Sequence, residues 1–123
     1  MAANILIVDD SSAIRKILQR VLIQAGLPIA EVFEAADGIE ALNILEQRRV
    51  QLILSDINMP NMDGLQLLGT LKGRPEHKDI PVVMVTTEGA QAKVMEAVNL
   101  GALGYVRKPF TAEQIKEKLV GLI

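Results

Sequence analysis

At 123 residues, half of them hydrophobic and 23% charged, the chain has the size and proportions of one globular domain and not those of a disordered segment. Its formal net charge of −2 leaves no basic stripe for a phosphate backbone, and its few aromatics (Phe33, Tyr105 and Phe110) give no stacking platform for single-stranded nucleic acid. With no cysteine and a single histidine, His77, disulfides, thiolate catalysis, cysteine-zinc sites and a histidine metal cage are excluded.

The chain alternates short apolar runs with helical patterns. Ile5 to Val8 is a continuous β-rich run. A helix follows from about Ser11 to Ala25, with Ile14, Ile17, Leu18, Val21 and Leu22 three or four apart, and Gly26 and Pro28 stop it. Ile29 to Phe33 is a weaker strand, suited by Glu31 to a sheet edge. Asp37-Gly-Ile-Glu40 reads as a capping box opening a second helix. Leu52 to Leu54 is a buried strand, and Asp63-Gly-Leu-Gln66 is a second capping box, before Leu67, Leu68 and Leu71. A polar loop over Gly73 to Asp79 places His77 in solvent. Val82 to Val85 is the fourth strand. A helix with a vague apolar face runs from about Gly89 to Leu100. Leu103 to Val106 is the last strand, and Thr111-Ala-Glu-Gln114 caps a final helix bearing Ile115, Leu119 and Leu122.

Five βα units with unbroken apolar strands predict an α/β fold, a parallel sheet with helices on both faces. The flavodoxin-like order 2-1-3-4-5 is the natural topology for five strands. No linker, repeat or low-complexity tract divides residues 1–123, so one domain is expected. No apolar run approaches the ~20 residues of a bilayer span. The N-terminus has no basic region ahead of its first apolar run, which makes the cytoplasm the expected compartment.

The polar residues collect at strand ends. Asp9 and Asp10 follow the first strand, Ser55 and Asp56 the third, Thr86 and Thr87 the fourth, Arg107 and Lys108 the fifth. Open α/β sheets bind ligands at the carboxyl ends of their strands, and this strand order brings Asp9, Asp10 and Asp56 to one crevice. Singly, each residue has an ordinary use: an aspartate pair favours a helix N-terminus, and an aspartate after a strand is often a turn residue. Together, three converging carboxylates are relieved by protonation or by a cation, and for a cation the oxygen-only ligands select a hard one, Mg²⁺. Such a site, with a hydroxyl and a lysine, is equipped for phosphoryl transfer with a carboxylate nucleophile.

Asp9-Asp10, Ser-Asp56-Ile-Asn58-Met-Pro60-Asn-Met-Asp-Gly64, Val-Thr86-Thr87-Glu88 and Gly-Tyr105-Val-Arg-Lys108-Pro109-Phe110 resemble, in order and spacing, a response-regulator receiver domain. Ser55 to Gly64 is most similar to the single-domain CheY-like chemotaxis regulators. The resemblance implies that Asp56 takes a phosphoryl group from a sensor histidine kinase. It implies Mg²⁺ on Asp10, Asp56 and the backbone carbonyl of Asn58, with Asp9 acting mainly through a metal-bound water. Lys108 and Thr86 would stabilise the phosphoryl oxygens, with Lys108-Pro109 cis. Tyr105 would be the switch aromatic, and Asn58 and Glu88 would set the lifetime of the acyl phosphate.

The implied protein is a phosphoacceptor switch without independent turnover. It would act on a downstream protein target, the flagellar motor switch in chemotaxis, through its fourth helix, fifth strand and fifth helix. A phosphatase is a further implied partner; nucleic acid and membrane insertion are not, and a monomer is expected. Two alternatives stay open: a phosphorelay intermediate and a small Mg²⁺-dependent aspartyl phosphotransferase. Ile57, Thr87 and Arg107 depart from the chemotaxis pattern, which has Trp, a small residue and an apolar residue there.

Overall fold

The computed structural model describes residues 2–87 and 91–123. Five strands, β1 (Ala3–Val8), β2 (Ile29–Ala35), β3 (Leu52–Asp56), β4 (Val82–Thr87) and β5 (Gly104–Lys108), alternate with five helices, α1 (Ser12–Gln24), α2 (Gly38–Gln47), α3 (Gly64–Lys72), α4 (Gln91–Leu100) and α5 (Ala112–Leu119). The strands form one sheet in the order β2-β1-β3-β4-β5, as expected, and every pairing is parallel.

Strand periodicity divides the core into two layers. Leu6, Val8, Ile53, Val82 and Met84 face α2, α3 and α4, where they meet Ala41, Leu45, Leu67, Leu68, Leu71, Val94 and Ala97. Their neighbours Ile5, Ile7, Leu52, Leu54, Val83 and Val85 face α1 and α5, against Leu18, Leu22, Ile115 and Leu119. Side chains alternate across a strand, so a strand covered on both sides must be apolar at every position. Truncating one of these buried leucines to alanine would cost about 2–5 kcal/mol.

The helix starts follow the sequence signals. Ser11 caps α1 by accepting from the Ile14 N–H at 3.2 Å, and Gly26, at a φ of 71°, ends it. Asp63 with Gln66 and Thr111 with Gln114 form complete capping boxes on α3 and α5. The third box differs. Asp37 accepts from the Glu40 N–H at 2.9 Å, but Glu40 accepts from the Ala36 N–H and not from that of Asp37. Asp37 is instead held from the other side by the Asn61 side-chain amide, which donates to it at 2.7 Å.

All five strands differ at an end from the sequence reading, β1 starting at Ala3 and β2 running to Ala35. β3 and β4 run on to Asp56 and Thr87, because ladder pairing continues through Asp56–Val85 and Thr87–Lys108. β5 starts at Gly104 and reaches Lys108. The key polar residues are therefore the last residues of strands, where the ladder fixes their direction. His77 also departs from expectation: it is buried, at 7% exposure. Backbone bonds from His77 and Lys78 to the Arg74 carbonyl fold the loop into a turn. The ring then sits with Leu45, Val50 and Ile80 in the lining of a groove of about 650 Å³ at the far end of the sheet from the acidic residues. Among the described residues, no helix is long and apolar enough to cross a membrane.

Candidate functional site

The carboxyl ends of β1, β3 and β5 converge. Asp9 follows β1 and is buried, Asp10 beside it is exposed, and Asp56 ends β3 half-buried. One carboxylate oxygen from each lies within 4.8 Å of the others. Lys108, at the end of β5, enters the cluster with its Nζ 2.9 Å from Asp9 Oδ2 and 3.4 Å from Asp56 Oδ2. The Lys108-Pro109 bond is cis, as the resemblance implied. The lysine thus lies nearer to Asp9 than to Asp56. Asp9 is the most deeply buried of the three acids, so it gains most from a counter-ion.

Backbone and side chains hold the acids in place. The Ser11 N–H donates to Asp9 Oδ1 at 2.9 Å. Arg15 donates from Nη1 to the Asp9 carbonyl at 2.6 Å and from Nε to Glu34 at 2.9 Å. The Ile57 N–H donates to Asp56 Oδ1 at 2.7 Å. Gly64 is needed by close approach: a Cβ there would run into the Asp56 carbonyl oxygen and the Ile57 backbone. Its own N–H donates to the Ile57 carbonyl at 2.8 Å, tying the start of α3 to the loop behind Asp56.

Burial raises the pKa of the Asp56 carboxyl above its ordinary value, and the charge of Asp9 adds to this. The Lys108 ammonium and the Ile57 N–H oppose it without cancelling it. For Lys108, burial works against the charged form. The hydrogen bond to Asp9 and the charges of Asp56 and Asp9 outweigh it, so the ammonium is held above its ordinary pKa. A charge-dense site with one cation among three acids has net negative charge to offer a cation. Its donors are oxygen only, which fits a hard divalent ion such as Mg²⁺.

The remaining expected residues surround this centre. Thr86 is buried at the end of β4, where its hydroxyl donates to the Thr87 carbonyl at 3.3 Å. Tyr105 is 36% exposed on the edge strand β5, with the Lys118 ammonium 5.6 Å from its ring centroid. Asn58 is exposed on the loop after Asp56, and its Oδ1 accepts from Lys93 of α4 at 2.6 Å. Glu88 lies outside the described residues. Sequence reasoning missed Arg15 and Lys93. Arg15 lies in the first turn of α1, within reach of the chain just before the helix; Lys93 carries no sequence signal.

The sequence matches the description "Response regulator receiver domain" over residues 5–120. The chain belongs to this family. It is 40% identical over 117 residues to a chemotaxis protein CheY homolog of Campylobacter jejuni, covering 94% of this chain and 88% of that protein. Its fold superimposes on the chemotaxis response regulator CheY4 of Vibrio cholerae with a TM-score of 0.86 and 36% identity, all of both chains being covered. The receiver domain of NtrX from Brucella abortus gives a TM-score of 0.85 at 31% identity, over 96% of each chain. The protein is thus a CheY-like receiver domain of two-component signalling, a class of signalling switch.

Proposed function

We propose that Asp56 is the phosphoacceptor of this receiver domain, with residues 1–123 acting as one unit. The observation that carries this reading is the grouping of Asp56 with Asp9, Asp10 and Lys108 at one end of the sheet. An Asp56 carboxylate oxygen attacks the phosphorus of a phosphohistidine on a sensor kinase. The new O–P bond forms as the N–P bond breaks, and the imidazole nitrogen leaves with the electron pair. Mg²⁺, when bound, neutralises charge on the phosphoryl oxygens. Asp10, Asp56 and the Asn58 carbonyl would hold it directly. Both oxygens of Asp9 are already engaged, by the Ser11 N–H and Lys108, which suits Asp9 to a role through water. Lys108 needs only a small movement to leave Asp9 for the phosphoryl group. Thr86 supplies a hydroxyl once it exchanges the Thr87 carbonyl for a phosphoryl oxygen.

The signal leaves through α4, β5 and α5. Met95, Val98, Leu100, Leu103 and Tyr105 are exposed there, an apolar surface suited to a protein target. Tyr105 is the switch aromatic, turning inward as Thr86 moves. Asn58 and Glu88, the residues two past Asp56 and Thr86, tune the lifetime of the acyl phosphate. The chain is a monomeric cytoplasmic switch without independent turnover. The CheY relatives favour chemotaxis as the pathway, with the flagellar motor switch as target and a phosphatase as a further partner. The test is transfer from a histidine kinase loaded with radiolabelled phosphate. Label should pass to the unmodified chain in Mg²⁺ and not to Asp56→Asn; equal labelling of the variant would overturn the assignment.

A further inference from the structure

The tie between Lys93 and Asn58 is the one polar contact among the described residues that joins α4 to the loop following Asp56. Both side chains are exposed, but each stands beside a buried neighbour that fixes its backbone. Lys93 precedes Val94, which packs into the core beneath α4, and Asn58 follows Ile57, which is 1% exposed and donates its N–H to Asp56. A lysine ammonium only donates, so the amide of Asn58 must turn its Oδ1 toward Lys93. At 2.6 Å this is a short, charge-assisted bond. The bond occupies one of the two lone pairs of Oδ1 and sets the amide's orientation, with Oδ1 turned toward α4 and Nδ2 facing elsewhere.

This orientation bears on hydrolysis. Water attacking an acyl phosphate on Asp56 uses a lone pair on phosphorus, so it is best aligned by an acceptor that takes one of its O–H groups. Asn58 stands two residues past Asp56 and can turn Oδ1 toward that water only when the bond to Lys93 breaks.

We propose that Lys93 is a positioning residue that prolongs the phosphorylated state by holding Asn58 Oδ1 away from the attacking water. The inference rests on Asp56 being the phosphoacceptor, and it deepens that reading by adding a residue of α4 to the control of lifetime. It also gives α4 a direct stake in the chemistry. Any movement that breaks the tie speeds loss of the phosphoryl group, so a target that clamps α4 in place lengthens the signal.

The test is a double-mutant cycle on the purified full chain, loaded with a small phosphodonor in saturating Mg²⁺, with phosphate release followed after the donor is removed. Lys93→Met should release phosphate about fivefold faster than the unmodified chain, the loss expected for one hydrogen bond. Lys93→Arg, which keeps a charged donor, should restore the slow rate. In an Asn58→Ala background, Lys93→Met should change nothing, because its effect passes through Asn58. An unchanged rate in Lys93→Met, or the same fivefold change with Asn58 absent, overturns the proposal. The side-chain amide resonances of Asn58, followed by NMR in the unphosphorylated chain, give a readout that does not need phosphorylation. They should shift in Lys93→Met and hold in Lys93→Arg; amide signals identical in all three proteins also overturn it. Failure of Asp56 to take up phosphate would instead count against the phosphoacceptor assignment and leave the NMR result to decide the tie.

Discussion

Replacing Asp56 by asparagine removes one charge from a crowded site and keeps its shape. The magnitude follows from the geometry. Carboxylate oxygens of Asp9, Asp10 and Asp56 lie within 4.8 Å of one another, so each like-charge pair costs roughly 3–4 kcal/mol at an effective dielectric near 20. Lys108, 3.4 Å from Asp56, returns roughly 5 kcal/mol on the same scale. The two repulsions felt by Asp56 therefore exceed its one attraction by roughly 2 kcal/mol. Water around the exposed Asp10 trims that to roughly 1 kcal/mol. Burial of Asp56 acts in the same direction.

Asp56→Asn should thus raise the thermal midpoint in EDTA at neutral pH by roughly 5 °C for a domain of this size. The sign with pH is fixed. An acid whose folded pKa is raised destabilises the fold as pH climbs from the unfolded value through the folded one. The advantage of the variant should therefore close as pH falls below about 4. Millimolar Mg²⁺ should also close it, by stabilising the unmodified chain more than the variant. Calorimetry with and without Mg²⁺ reads all three. A variant that melts at or below the unmodified chain in EDTA would refute the electrostatic reasoning.

Asp37 is held below its ordinary pKa by the Asn61 amide first and the Glu40 N–H second. Its stabilisation is present above the unfolded pKa and lost as pH falls through the lowered folded one. Asp37→Asn, which keeps an oxygen for the cap, should cost about 1 kcal/mol at pH 7, and the cost should shrink as pH falls through the acid range, by urea denaturation across it. Gly64→Ala should lower the melting temperature and slow phosphorylation together, since its Cβ would push on the Asp56 carbonyl; wild-type values for both would show that the loop yields freely. Tyr105 is the only tyrosine and tryptophan is absent, so intrinsic fluorescence reports it alone. Beryllofluoride with Mg²⁺ should reduce its quenching by acrylamide as the ring turns inward, and unaltered quenching would remove Tyr105 from the switch.

The fold was legible because its central strands β1, β3 and β4 are nearly unbroken apolar runs up to their carboxyl ends and its helix starts carry strong caps. Ser11, Asp37, Asp63 and Thr111 all cap the helices they were expected to open. The clustering of Asp9, Asp10, Asp56 and Lys108 was legible for a related reason, since strand order alone brings strand ends together. Features depending on side-chain reach were not. Nothing in the order of residues says that Glu40 bypasses Asp37 for Ala36, that Lys108 lies nearer to Asp9 than to Asp56, or that Lys93 finds Asn58. His77 misled because a polar loop was taken to be exposed. Its backbone turn satisfies the polar groups of the main chain and leaves the ring free to pack inward.

The phosphoacceptor assignment is tested most directly by intact mass spectrometry after incubation with Mg²⁺ and acetyl phosphate. The unmodified chain should gain the mass of one phosphoryl group, chelation of Mg²⁺ should abolish the gain, and Asp56→Asn should show none. An unmodified chain that gains no mass, or an Asp56→Asn variant that gains as much, would contradict the assignment.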